Sequence, residues 1–386
     1  MIWDIETFRV PPRWIFVKVT TDDGAHGWGE AIVPKRSRAV VGAVEDLASN
    51  VRGADPSRIE DLWQRMRRGA FFRGGPVLST AAAAVEQALW DIKGRRYGLA
   101  VYDFLGGATR EEVRVYSWIG GDQPDHVGED TRLRMAQGYT AVKMNATAEL
   151  DYIDRSSLVD AVVERVATVR EAGGPGLGLA VDFHGRVHRS MAKVILRELE
   201  QFDLMWVEEP LGPGYEGTLA ELGAAAGRTP LATGERLCSR WEFRDLLAHG
   251  AVDIVQPDVS ITGLFELEKI CRIAEAYDVM VAPHCPNGPV SLAASLQVDC
   301  CTANVSIQEQ SLGMHYNLGY GESPPGEMGE YLIDPSPLAP IGGRLLRPKG
   351  PGLGIEVDEG VVRERAAAWE LLDPVWRHPD GRLAEW

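Results

Sequence analysis

Six short apolar runs between residues 179 and 309 each end in a group that can ionise. LAVDFH closes on Asp182 and His184, MWVEEP on Glu208, and LATGER on Glu235. DIVQPD closes on Asp258, VMVAPH on His284, and NVSIQE on Glu309. Upstream, TAVKMN carries Lys143 and Asn145 at the end of a similar run. One acidic residue after an apolar run ordinarily caps a helix or sits in a solvated loop. Three on consecutive runs, Asp182, Glu208 and Glu235, read differently. Carboxylates brought that close cannot all stay ionised without a cation among them. An all-oxygen donor set suits Mg²⁺, which keeps positions open for water or substrate oxygens.

The remaining groups supply acid–base chemistry. His184 follows Asp182 by two residues, which in extended chain puts both side chains on one face. Asp258 against one ring nitrogen of His284 would fix the tautomer and raise the basicity of the other, as a general base requires. Lys143 can hydrogen-bond an anionic intermediate, or act as a base if desolvated. Glu309 could donate to a substrate oxygen if its pKa is raised. Asn145 carries an amide, which cannot serve as a base, and is suited to orienting a polyol. Glu209 and Arg236, beside the carboxylates, either support them or cap a loop. Cys285 reads as a packing residue, since nothing near it in sequence would form its thiolate.

These groups need a scaffold that brings strand ends together. The rungs lie roughly 25 residues apart, close to the repeat of a (β/α)₈ barrel of about 250 residues, whose catalytic groups sit at the C-terminal strand ends. At 386 residues the chain exceeds a bare barrel, so a second domain of roughly 100 residues is expected. Before the rungs, Ile2 to Val10 and Ile15 to Thr20 read as strands, with a turn at Thr21-Asp22-Asp23-Gly24. Helices are expected from about Val40 to Val51, from Asp55-Pro56 onward, and from about Thr80 to Lys93 with a stop at Gly94. VRVYSW, from Val113, is the expected first barrel strand. The Gly- and Pro-rich tail is too poor in periodic apolar residues for a core of its own. The division expected is an α+β cap over 1–112, a barrel over 113–345, and a tail over 346–386 that packs back on the cap.

Composition narrows the partners. The net charge of −16 argues against nucleic acid or an anionic membrane as main partner, since both demand a basic face. No apolar stretch approaches the roughly 20 residues that span a bilayer. MIWDIETFRV lacks the layout of a signal peptide. Five cysteines with no CxxC pair suit a reducing cytoplasm better than a disulfide framework.

The chain resembles the enolase superfamily, in its mandelate-racemase-like branch, along nearly its whole length. PPRW, DPSRIEDLWQ, QALWDIKG, YSWIGGD, VEEP, GERL and QPD carry the broad likeness. VDFHGR, APHCPNGP and QEQSLGMHYN narrow it to the acid-sugar dehydratases. The resemblance implies a (β/α)₇β TIM-like barrel with an α+β capping domain built from both termini. It implies Mg²⁺ on Asp182, Glu208 and Glu235, His284 with Asp258 as the base α to a carboxylate, and His184 as the acid for the departing 3-hydroxyl. Lys143 and Glu309 would stabilise the enediolate. The expected reaction is loss of water from C2–C3 of a hexonate, D-galactonate foremost, giving a 2-keto-3-deoxy acid, in a homo-oligomer. Several racemases of the branch carry Lys-x-Lys where this chain has Lys143-Met144-Asn145, which favours elimination over two-base racemisation. Cap loops close over the far end of the sugar in this branch, making Lys35, Arg36 and Arg73 candidate substrate contacts. Lys35 and Arg36 would equally serve as the exposed first turn of a helix. Other readings are another aldonate, an epimerase or cycloisomerase on the same enolate chemistry, and a non-catalytic sugar-acid-binding protein. A zinc amidohydrolase barrel fits less well, because the ligands are all oxygen and an early His-x-His is missing.

Overall fold

The structure, a computed structural model, describes all residues except 122–124, 149, 152, 319–323, 367–374, 379 and 385–386. Parts of the YSWIGGD motif and of the 346–386 tail thus lie outside the described residues. Three antiparallel strands open the chain: β1 (Ile2–Val10), β2 (Trp14–Thr21) and β3 (His26–Ala31). Gly24, at φ +83°, closes the turn between β2 and β3 by donating its N–H to Thr21 O. Helices Ser37–Val51, Ile59–Arg68 and Pro76–Tyr97 follow.

Two of these helices differ from the sequence pattern, each for a local reason. Asp55 accepts the Ser57 N–H at 2.9 Å, so Asp55-Pro56 makes a separate turn and the helix begins only at Ile59. The third helix runs straight through Gly94 to a left-handed Gly98. Gly94 is there for closeness, not for termination: a Cβ on it would stand 2.5 Å from the backbone of Gly352. The tail crosses the helix at that point. Further along, Glu359 pairs with Lys18 and Arg363 with Glu6, which pins the helix Glu359–Ala366 to the cap sheet.

VRVYSW divides into two strands. β4 (Glu112–Arg114) pairs antiparallel with β12 (Arg344–Leu346), outside the barrel. β5 (Ser117–Trp118) begins the parallel sheet, continued by β6 (Ala141–Asn145), β7 (Gly178–Asp182), β8 (Trp206–Glu208), β9 (Leu231–Thr233), β10 (Ile254–Val255) and β11 (Met280–Val281). Parallel bridges Val281↔Val305 and Val115↔Gln308 link the NVSIQE segment to both edges. The sheet therefore closes as a (β/α)₇β barrel, with the antiparallel cap at its side.

The barrel interior is built in layers. Tyr116, Ala141, Ala180, Trp206, Ala232, Ile254, Ala282 and Ile307, one residue from each rung, form a single buried cluster. Four alanines leave room for two aromatic rings, Tyr116 and Trp206, which meet edge-on at 5.8 Å. Side chains alternate faces along a strand, so the next inward layer lies two residues further on. It consists of Trp118, Lys143, Asp182, Glu208, Gly234, Gln256, His284 and Glu309. An apolar floor thus sits beneath a ring rich in ionisable groups.

Buried polar groups on the helix Pro76–Tyr97 join cap to barrel. Gln87 donates to Val259 O at 3.0 Å, and Thr80 to Ser260 O at 2.6 Å. Glu86 accepts from the Leu264 and Phe265 N–H groups at 2.8 and 3.0 Å, capping the helix Leu264–Ala276. Burial pushes the Glu86 carboxyl up to about 7 from an ordinary 4.5, against those N–H groups. With the folded value above the unfolded one, the folded chain holds more protons between the two, and stability falls as pH rises through that window. Relative to the non-titrating Glu86→Gln, the parent chain is expected to lose about 3 kcal/mol of stability between roughly pH 4.5 and pH 8. Urea unfolding of both proteins across that range measures it; a pH-independent difference refutes it.

Candidate active site

Asp182 and Glu208 end neighbouring strands in direct register. Glu235 follows Gly234, the inward glycine at the end of β9. Oxygens of the three carboxylates lie within 4.8 Å of one another. At an effective dielectric near 20, each such pair of unit charges repels by about 3 kcal/mol. Burial and Glu208 push Asp182 well above the usual carboxylate range, with Lys143 opposing. Glu235 goes the other way. Burial disfavours its charge, but His284, Arg236, His184 and Lys143 outweigh it and bring it down to about 2. Three convergent hard oxygens, two from the buried layer and one from half-buried Glu235 next to it, fit a small divalent cation such as Mg²⁺.

Glu208 is fixed by donors to Oε2, from Trp206 Nε1 at 3.0 Å and Gln256 Nε2 at 2.7 Å. Its Oε1 accepts a hydrogen bond from Lys143. The Lys143 ammonium also lies 3.0 Å from Glu309 and 3.8 Å from Asp182, with no exposed surface. Burial opposes its charge, yet Glu208, Glu309, Tyr116 and Asp182 hold its pKa well above the ordinary value. These contacts favour the ammonium over the free amine that a base would need. Glu309 likewise differs from the expected proton donor. Burial disfavours its anion, but Lys143 and His284 keep its pKa below the ordinary value. It accepts from Trp118 Nε1 at 2.6 Å and from the Cys285 N–H at 3.0 Å. Cys285 itself is buried, its thiol pushed well up by burial, and it packs.

His284 Nδ1 lies 2.7 Å from Asp258 Oδ2. Its Nε2 faces inward, 3.5 Å from Glu235 and 3.9 Å from Glu309. Burial lowers its proton affinity, but Glu235, Glu309 and Asp258 prevail and raise the imidazole to about 10. His184 reaches the same carboxylates by a different backbone path from the one expected. The chain leaves extended geometry after Asp182, because the His184 N–H turns back to Asp182 Oδ1 at 2.6 Å and its φ is +53°. His184 nonetheless bears on Glu235 electrostatically. Arg236, 3.5 Å from Glu235 and 3.6 Å from the buried Glu209, also donates to His184 O at 3.2 Å. Arg236 thus braces the loop that carries the imidazole. Asn145 pairs in register with Asp182, is buried, and donates to Gly121 O at 3.1 Å.

The cap candidates are not drawn into this cluster. Lys35 and Arg36 are exposed on the turn between β3 and the helix Ser37–Val51, where Lys35 is left-handed at φ +63°. Arg36 donates to Lys35 O and stands at the N-cap of that helix. Arg73 is exposed beside Phe71 and Phe72 and lines a cleft of about 480 Å³ between the three cap helices and Thr262. None of the three carboxylates lines that cleft. Trp206, Gln256 and Trp118 were not read from the sequence as site residues. A two-residue step from the apolar floor would have found Gln256 and Trp118.

Two family models match the chain. Mandelate racemase/muconate lactonizing enzyme, N-terminal domain, matches residues 7–106, and enolase C-terminal domain-like matches residues 127–361. A curated D-galactonate dehydratase of Ralstonia pickettii (strain 12J) is 47% identical over 384 residues, covering 99% of both chains. That of Verminephrobacter eiseniae (strain EF01-2) is 46% identical over the full length of both. Among solved structures, an enolase from Agrobacterium radiobacter with bound sodium and L-malate superposes with a TM-score of 0.88, at 31% identity and 100% coverage of both chains. A member of the enolase superfamily from Salmonella Typhimurium gives 0.85 at 26% identity, covering 94% of this chain and 97% of its own. Among the described residues no helix is long and apolar enough to cross a membrane. With both domain models matched in order and the ring of ionisable groups on one barrel rim, the chain is an enzyme of the enolase superfamily, in its mandelate racemase/muconate lactonizing enzyme branch.

Proposed function

We propose that the enzyme is a Mg²⁺-dependent acid-sugar dehydratase that converts a hexonate, D-galactonate foremost, into the 2-keto-3-deoxy acid. It is a hydro-lyase, a carbon–oxygen lyase. The observation that carries the reading is a His–Asp pair aimed at three convergent carboxylates, with a second imidazole beside them. Full-length identity to curated D-galactonate dehydratases supports the choice of sugar.

Mg²⁺ held by Asp182, Glu208 and Glu235 would act as a Lewis acid toward the charge developing on the substrate carboxylate, and would neutralise Glu235. His284 Nε2, which faces the layer, accepts the proton from C2 when the imidazole is neutral. The Nδ1–H donated to Asp258 keeps that tautomer in place. The electron pair left by the C2–H bond passes onto the substrate carboxylate as an enediolate, and then forms the C2–C3 double bond as the C3–O bond breaks. His184 gives its proton to the departing hydroxyl, which leaves as water. Lys143, fixed between Glu208 and Glu309, offsets negative charge in the layer, and Asn145 orients the polyol. The enol then tautomerises to the 2-keto acid.

The test is a panel of diastereomeric aldonates and aldarates with Mg²⁺. D-galactonate is expected to yield a semicarbazide-reactive 2-keto acid. No ketone from any member of the panel rejects the dehydratase, and solvent isotope exchange without ketone points to an epimerase. His184→Asn separates the half-reactions. It is expected to keep exchange at C2 while slowing ketone formation by about 10²–10³-fold, the scale of a lost general acid. Equal loss of both would place His184 outside the elimination step.

A further inference from the structure

Asp258 is held by more than its histidine. Its Oδ1 accepts the backbone N–H and the hydroxyl of Ser260, both at 2.7 Å. Asn287 Nδ2 lies 3.1 Å from Oδ1 and 3.0 Å from Oδ2, and 3.2 Å from Ser260 Oγ. One amide therefore spans both carboxylate oxygens, with Oδ2 turned to His284 Nδ1. Asn287 is buried, and its backbone carbonyl accepts from Ser311 Oγ at 2.6 Å, just past Glu309.

The cap domain grips the next residue. Gly288 donates its N–H to Glu30 Oε1 at 2.6 Å, and Ser291 donates to Glu30 Oε2 at 3.0 Å. Glu30 lies on β3 and is fully buried. It supplies the cap that the helix Pro289–Asp299 lacks, because the N-cap of that helix is Gly288. A Cβ at Gly288 would stand 2.7 Å from the Trp14 ring and 2.8 Å from Glu30 Oε1. Only glycine admits the cap this closely.

We propose that Asn287 is a positioning residue for the Asp258–His284 pair, and that Glu30 of the cap holds it in place, so that cap docking sets the orientation of the base. The proposal rests on His284 being the base. A carboxylate can swing about its last bond, and the amide spanning both oxygens stops it. Without that amide Oδ2 leaves Nδ1, and the imidazole loses its fixed tautomer and aim. Asn287 acts only through Asp258, so its removal has no effect where Asp258 is already absent.

That dependence is tested on the full chain with Mg²⁺, by following exchange of the C2 proton of D-galactonate in D₂O over days by NMR. The proteins are the parent, Asn287→Ala, Asp258→Asn and the double variant. Asn287→Ala is expected to lower kcat for exchange about 10–100-fold, the scale for groups that orient a ligand through a hydrogen bond, with KM nearly unchanged. Added to Asp258→Asn, it is expected to cause almost no further loss. Equal fold-losses in both backgrounds, or a change confined to KM, overturn the proposal. Should the alanine variant not fold, Asn287→Ser goes through the same cycle with the same criteria. Glu30→Gln presents an NH₂ to one of the two N–H groups; it is expected to lower kcat, and to do so less in the Asn287→Ala background. Additivity there removes Glu30 from the relay. His284→Asn is the control: if it exchanges like the parent, the base assignment falls and this proposal with it, whereas a dead His284→Asn beside additive Asn287→Ala overturns positioning alone.

Discussion

Replacing His284 by Asn is expected to abolish exchange of the C2 proton of D-galactonate with solvent deuterium, and with it all ketone formation. The loss should be on the order of 10⁴-fold, the upper range for a positioned general base. The substitution is mild toward the fold. Asparagine keeps an N–H that can face Asp258, whose other donors, Ser260 and Asn287, remain. Asp182, Glu208 and Glu235 are retained, so on the proposed Mg²⁺ site the ion should stabilise variant and parent alike against heat. NMR in D₂O measures exchange, and a thermal melt with and without Mg²⁺ shows that the site is still assembled. A variant that still exchanges at the parent's rate removes His284 as the base. Loss of exchange together with loss of the Mg²⁺ response would mean that the histidine maintains the layer instead of acting on substrate.

Lys143→Met is expected to inactivate the enzyme and to lower its stability in EDTA by about 3–5 kcal/mol, the cost of leaving buried partners uncompensated. The ammonium is in contact with Glu208, Glu309 and Asp182 together. It is walled by Tyr116 and Trp118, whose ring centroids lie 5.2 and 4.8 Å away. Methionine preserves the volume and removes only the charge. The carboxylates must then take up protons or a cation. Mg²⁺ should therefore stabilise Lys143→Met more than the parent, and urea unfolding in EDTA and in Mg²⁺ compares the two. Equal Mg²⁺ increments would mean that Lys143 and the cation do not share the same carboxylates. A variant as stable as the parent in EDTA would show that the layer balances its charge without the lysine.

Much of the barrel could be read in advance because its signal is local. Each rung joins an apolar strand to a polar end, and the step of two residues from Ala180 to Asp182, or from Ala282 to His284, is strand alternation written in sequence. The elements that escaped reading answer to distant partners. Gly94 looked like a helix stop and is a contact point for Gly352. VRVYSW looked like one strand and is two, since Arg344–Leu346 claims its first half. Asp55-Pro56 looked like a helix start, but the Asp55 side chain closes its own turn first.

Residue types alone pointed to a candidate site: three carboxylates, two imidazoles, a lysine and a glutamate, each at the end of an apolar run with barrel spacing. Side-chain identity and alternation are properties of short segments, and they survive without knowledge of the fold. Which groups meet at the rim, and which partners hold them, came only from the tertiary structure. Burial works against charge on both Glu309 and Lys143, and it is their pairing with each other and with neighbouring charges that favours the anion and the cation. His184 enters through a left-handed turn set by Asp182. Glu30, Glu86 and Asn287 matter because residues far apart in sequence are buried against them. Proton affinity depends on the distance to other charges and to water, and folding is what sets those distances.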